Sequence, residues 1–334
     1  MQKTLKKRKS KKQQQRQPST DKLTIRHILV PMDFSGFARQ ALGVAVPLAR
    51  KHHARISLVH VVQPPVVMRT FPDGGIAMPV DIPKLRDVGR EQLEKLAVQL
   101  LPDDVRGQIL IRQGNAAMEV VSAAKAIKAD LIALSTVGRS GLKRLLLGST
   151  AERIVRHAPC SVLTVRRKGE AKVVRLVSGL TPHYREPLPW RRMLVPLDFS
   201  LTSLRALTVA AALAKQSRAR LNLLNVVETN PYATGMEGAV LVMPDSELVN
   251  RAKKELPRIA RRLVPKSVQI AALVKQGRAA DVIVETAEEK GIDLIVLSTQ
   301  GHTGIERLLM GSTAEGVVRH AKCPVLVVRK TRNS

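Results

Sequence analysis

The chain has 334 residues, 44% of them hydrophobic but only 2% aromatic, and carries a formal net charge of +29 with a pI near 11.0. Such a length points to two globular domains, with cores built from Val, Leu, Ile and Ala, a composition suited to parallel sheets covered by helices. No apolar run of about 18 residues occurs, and no apolar stretch follows the basic N-terminus, so neither a membrane span nor a signal peptide is expected.

Residues 1–22 are Lys/Arg/Gln-rich, with little to bury, and are expected to be disordered. They form either a solvated tail or an electrostatic arm for RNA, DNA or another polyanion, and both readings stay open at this point. The absence of interleaved aromatic residues argues against base stacking. The first domain, expected over 23–167, opens on a strand that stops at Pro31 and delivers Asp33 and Ser35 at its carboxyl end. A helix follows, with an apolar stripe at Ala38, Ala41, Leu42 and Ala45. Asp33 is read either as the cap of that helix or as a ligand-site carboxylate. Arg55–Val62 is a central strand, and His60 within it reads as a packed or hydrogen-bonded core residue. A long Gly/Pro-bearing loop runs to Pro83, as expected over a pocket, before a helix at about 84–101, a strand ending at Gly114, a third helix and the strand 130–134. A short helical pattern from Glu152 to His157 and a last strand, Ser161–Arg166, close the unit.

Residues 168–190, charged and Pro-rich with the single Trp190, read as a linker. The second domain, 191–330, repeats the first: Pro196, Asp198 and Ser200; the stripe Leu207, Ala210, Ala211 and Ala214; the strand Arg220–Val227; a helix over 245–263; Gly277; and a last strand to Arg329. Cys160 and Cys323 stand at equivalent places and read as small buried residues, with no ligand spacing around them. Two isolated cysteines suit a reducing cytoplasm.

The chemistry-bearing stretch is Ser135-Thr-Val-Gly138-Arg-Ser-Gly-Leu-Lys-Arg-Leu-Leu-Leu-Gly148-Ser149-Thr150, which returns as Ser298-Thr-Gln-Gly301-His-Thr-Gly-Ile-Glu-Arg-Leu-Leu-Met-Gly311-Ser312-Thr313. Each copy follows a buried strand ending in Leu134 or Leu297, at the sheet edge where open parallel sheets bind ligands. Each also closes at a helix N-terminus, where free N–H groups and the dipole stabilise an anion. Glycines there let the backbone approach a phosphate and adopt positive φ where needed.

These residues resemble the universal stress protein family, in its ATP-binding branch, whose loop is Gly-x2-Gly-x9-Gly-Ser/Thr. The first glycine of that pattern is Ser135 in one copy and Ser298 in the other; the rest is intact twice. The resemblance implies two tandem doubly wound α/β domains, each a five-stranded parallel sheet of order 3-2-1-4-5, whose fifth strands pair antiparallel, within the chain or between two copies in a homodimer. It also implies an ATP site in each domain, with Mg²⁺ or Mn²⁺ shared between the phosphates and Asp33 or Asp198. The first site would comprise Pro31, Asp33, Val61, Leu134, Ser135, Gly138, Arg139, Gly148, Ser149 and Thr150. The second would comprise Pro196, Asp198, Val226, Leu297, Ser298, Gly301, His302, Gly311, Ser312 and Thr313, with the backbones of Val61 and Val226 against adenine.

Neither a Gly-x4-Gly-Lys-Ser/Thr loop nor a Gly-x-Gly-x2-Gly fingerprint occurs, and no activated nucleophile or acid–base pair suggests fast hydrolysis. The first loop carries Arg139, Lys143 and Arg144 against His302, Glu306 and Arg307 in the second, so charge favours a triphosphate in the first. The reading is an ATP-binding regulatory module with at most slow ATPase activity. Its rivals are a basic nucleic-acid-associated protein and a dimerisation module with vestigial pockets.

Overall fold

The computed structural model describes residues 24–63, 81–136, 147–166, 188–228, 246–299 and 310–329. The basic tail, most of the linker, most of the two long loops, and Gly138, Arg139, Gly301 and His302 lie outside them. The first repeat runs β1 (His27–Pro31), α1 (Gly36–His52), β2 (Arg55–Val62), α2 (Ile82–Leu100), β3 (Arg106–Gln113), α3 (Ala116–Ala126), β4 (Leu131–Ser135), α4 (Ser149–His157) and β5 (Ser161–Val165). The second runs β6 (Arg192–Pro196), α5 (Leu201–Ser217), β7 (Arg220–Val227), α6 (Ser246–Leu263), β8 (Ile270–Gln276), α7 (Ala279–Glu289), β9 (Leu294–Ser298), α8 (Ser312–His320) and β10 (Val325–Val328). Among the described residues no helix is long and apolar enough to cross a membrane.

The strands form one sheet of order β3-β2-β1-β4-β5-β10-β9-β6-β7-β8, which is 3-2-1-4-5 in each repeat. Every pairing is parallel except β5 with β10, which run antiparallel with Val162 opposite Val327, Leu163 opposite Leu326 and Thr164 opposite Val325. Two Val-rich edges that would otherwise offer unpaired backbone to another chain thus cover each other within one molecule.

Alternation along the strands divides the core between two faces. Ile28 and Val30 of β1 and Leu131 and Ala133 of β4 pack under α1 and α2, while Leu29, Ile132 and Leu134 face α3 and α4. The second repeat does the same with α5 and α6 on one face and α7 and α8 on the other, and each core runs continuously across the β5–β10 seam. Trp190, read from the sequence as part of the linker, is 2% exposed and joins the core with Leu188. Asp130 and Asp293 lock the middle of each half: Asp130 accepts from the N–H groups of Arg26 and His27 at 2.8 and 3.0 Å, and Asp293 from those of Arg191 and Arg192. That clamp, at the amino ends of the strands, fixes β1 beside β4 and β6 beside β9, and the crevice at this reversal of the winding opens at their opposite, carboxyl ends.

Candidate functional site

The carboxyl ends of β1 and β6 settle which residue caps the following helix. Ser35 is the N-cap of α1, its Oγ accepting from the Ala38 N–H at 3.1 Å, and Ser200 caps α5 through the Ser203 N–H at 3.2 Å. Asp33 does not cap; its Oδ1 accepts from the Ser35 N–H and Oγ–H at 3.0 and 2.5 Å, and Asp198 does the same to Ser200 at 3.0 and 2.6 Å. The carboxylates therefore orient the capping serines and stay at the sheet's ligand edge, half-buried. Between Asp and Ser, Phe34 and Phe199 both sit at φ +64°. A bulky residue in the left-handed region costs about 1–3 kcal/mol, and repetition of the outlier in both halves marks a turn that the surroundings impose.

One of those surroundings is His60, whose ring lies 4.5 Å from that of Phe34. Its Nδ1–H donates to the Met32 carbonyl at 2.8 Å, and Asn225 takes that role in the second half, donating to Leu197 at 2.7 Å. His60 is thus the hydrogen-bonded core residue its sequence position suggests. Val61 and Val226 lie half-buried near the ends of β2 and β7, two places from β4 and β9 in the sheet, while Pro31 and Pro196 close the intervening strands.

The ends of the glycine loop are pinned together. Gly148 donates its N–H to the Thr136 carbonyl at 2.9 Å, and Gly311 to that of Thr299 at 2.8 Å. Both glycines have ordinary negative φ, −60° and −63°. The positive φ that the sequence reading allowed them is not used; a Cβ on Gly148 would lie 3.3 Å from the Thr136 oxygen, a tight approach, and one on Gly311 3.4 Å from the Thr299 oxygen, an ordinary contact. Gly148 and Gly311 are also the N-caps of α4 and α8 and offer no side-chain cap. The first intrahelical bond is Glu152 N–H to the Gly148 carbonyl, which leaves the preceding N–H groups at Ser149 and Thr150 facing outward without helix partners. Ser312 and Thr313 stand likewise on α8.

Beside the first clamp, Thr136 is 1% exposed and its Oγ1 has no hydrogen-bond partner. A buried hydroxyl left unpaired costs about 1–3 kcal/mol, so a ligand oxygen reaching it would recover that loss. Leu134 and Leu297 are buried, and Ser135 and Ser298 are half-buried beside the clamp. Uncapped helix N-termini, small hydroxyl residues and an orphaned buried hydroxyl fit a phosphate group. Glu152 and Glu315, whose charge in the first helical turn would oppose an anion, are held by Arg156 and Arg319 instead. Among the described residues no group of three His, Cys, Asp or Glu could hold a metal ion.

Thr136, Phe34 and their counterparts were not singled out in the sequence. The repeated Ser-Thr dipeptides at 135–136 and 298–299 were the available signal for the first; nothing in the residue type of Phe34 announces a left-handed backbone.

Two stretches of the chain, residues 24–166 and 189–329, match the sequence profile of the universal stress protein family. The chain belongs to that family. A universal stress protein of Methanocaldococcus jannaschii is 37% identical over 145 residues, 43% of this chain and 84% of the relative. One of Bacillus subtilis is 33% identical over 147 residues, 42% of this chain and 99% of the relative. Each of these relatives thus corresponds to one repeat of the present tandem universal stress protein. The crystal structure of a universal stress protein from Archaeoglobus fulgidus covers 93% of this chain and 99% of its own with a TM-score of 0.63 at 18% identity, a likeness of fold across both repeats.

Proposed function

We propose that this universal stress protein binds adenine nucleotide at the carboxyl edge of each repeat and acts as a nucleotide-dependent regulatory module of the stress response, with at most slow ATP hydrolysis. The observation that carries the reading is the clamp between Thr136 and Gly148, with an orphaned hydroxyl beneath it and an uncapped helix N-terminus beside it. In this reading the N–H and hydroxyl groups of Ser149, Thr150, Ser312 and Thr313 hold phosphate oxygens, while the backbones of Val61 and Val226 read adenine. Asp33 and Asp198 would hold the Mg²⁺ or Mn²⁺ whose charge would neutralise the triphosphate. The two domains are taken as 23–167 and 191–330, with Leu188 and Trp190 anchoring the end of the linker to the core that the repeats share, and the protein is taken as cytoplasmic.

The test is thermal unfolding with Mg²⁺-ATP, Mg²⁺-GTP or Mg²⁺ alone. A ligand at a hundredfold its dissociation constant stabilises by about 2.7 kcal/mol, so ATP should raise the midpoint while GTP at equal concentration should not. Equal shifts with both would indicate charge association alone and remove the adenine-specific site.

A further inference from the structure

The second repeat carries a charged surface that its sister repeat lacks. Along α6, Arg251, Lys254, Arg258 and Arg261 recur at intervals of three and four residues, a spacing that puts them on one side of the helix. All four are exposed. The stripe is about 15 Å long at 1.5 Å per residue, the axial rise of about four base pairs of a duplex. Over its whole length α6 carries six Lys/Arg against Glu247 and Glu255. Arg258 pairs with Glu255 at 2.9 Å, both on the surface, where such a pair contributes little.

A charged helix face is ordinarily no more than a solvated one, but the duplication supplies an internal comparison. Gly89, Leu93, Leu96 and Ala97 are buried on α2, as Ala252, Leu256, Ile259 and Ala260 are on α6. In that register the four cations of α6 stand where α2 has Val88, Glu91, Lys95 and Val98, and Glu91 and Lys95 neutralise each other at 2.6 Å. The fold therefore forms with no cationic stripe at this place. The helix's own apolar side is spent on β7 and β8, and the one exposed large hydrophobic on α6 is Leu248, with no aromatic on the helix. Nothing there would insert into a lipid surface or stack on unpaired bases.

We propose that the α6 stripe of Arg251, Lys254, Arg258 and Arg261 is a docking surface for the phosphate backbone of duplex nucleic acid, independent of the nucleotide sites and of base sequence. The test uses the full chain, with anisotropy of a labelled short duplex DNA of arbitrary sequence measured between about 50 and 200 mM salt. Each lost phosphate contact lowers the slope of log K against log salt by about 0.9, so replacing the four residues by Gln should reduce it by about 3 to 4. A second variant, with exposed Lys84, Arg86, Arg90 and Lys95 of α2 replaced by Gln, removes the same charge and should leave the slope unchanged. Unfolding midpoints within error of the parent chain establish that both variants fold. Equal loss in the two variants, or no change in the α6 variant, overturns the proposal. So does loss of binding to phosphatidylserine vesicles with DNA binding intact.

Discussion

The guanidinium of Arg156 on α4 lies 3.1 Å from the carboxylate of Glu315 on α8, so the two repeats are joined by charge as well as by the β5–β10 seam. Arg319 answers at 3.2 Å from Glu152, and each Arg also pairs with the Glu four residues before it, closing a four-membered ring. Beside it, Arg166 donates to the carbonyls of Val318 and Arg319, and Arg329 to those of Val155 and Arg156 at 2.8 and 2.6 Å. Each thus caps the other repeat's last helix, where the dipole favours a cation.

The ring side chains are about one-third exposed, so the ring should contribute modestly. A double-mutant cycle of Arg156→Met and Glu315→Gln, read by urea unfolding, should give a coupling of about 0.5–1 kcal/mol that shrinks at high salt. Arg329→Met should cost at least as much, about 1–2 kcal/mol, because it removes both hydrogen bonds to the part-buried carbonyls of Val155 and Arg156.

Thr136→Val separates stability from binding. Removing an unpaired buried hydroxyl while keeping its shape should leave the protein as stable or up to about 1 kcal/mol more stable. If that hydroxyl meets a ligand oxygen, the same change should weaken ATP binding at the first site. Urea unfolding and ATP titration of one preparation check both.

Trp190→Ala should cost about 3–5 kcal/mol, the range for removing a large aromatic from a packed core, and urea unfolding measures it. A residue belonging to an unattached linker would give a change near zero.

Burial, reinforced by the nearby Asp130 carboxylate, pushes the Cys160 thiol up to about 12. The folded state thus holds a proton that the unfolded chain releases near pH 9, and the stability linked to it is present below that pH. It is lost as pH rises toward 12, at about 1.4 kcal/mol per unit. Comparing urea midpoints of the parent chain and Cys160→Ala at pH 8 and 10.5 should show a steeper fall in the parent. Iodoacetamide should modify neither Cys160 nor Cys323 in the folded protein, since both are buried.

The repeat made the architecture readable: two Pro-x-Asp-Phe-Ser segments, two apolar strands and two glycine loops in register imposed the same winding twice. The seam was legible only through the family resemblance, because three opposed residue pairs of Val, Leu and Thr carry no signal distinguishing an internal partner from a second copy. The burial of Trp190 was not legible, because proline and charge dominate its neighbourhood and the burial of one aromatic beside a strand depends on contacts distant in sequence. At the site, the residue types of Asp33 and Ser35 were visible but the division of labour between them was not. Which oxygen caps α1 depends on the left-handed turn at Phe34, a tertiary outcome.

Equilibrium dialysis of labelled ATP with Mg²⁺, at salt high enough to suppress loose association with a chain of net charge +29, measures nucleotide binding itself. The parent chain should bind ATP saturably with weak competition by GTP. A variant with Gly148→Val and Gly311→Val should remain folded, since a Cβ there meets the Thr136 and Thr299 oxygens no closer than 3.3 and 3.4 Å, and should lose that binding, because branched side chains would stand where the phosphates approach the backbone. Absence of saturable binding by the parent chain, or equal binding by the variant, would contradict the account.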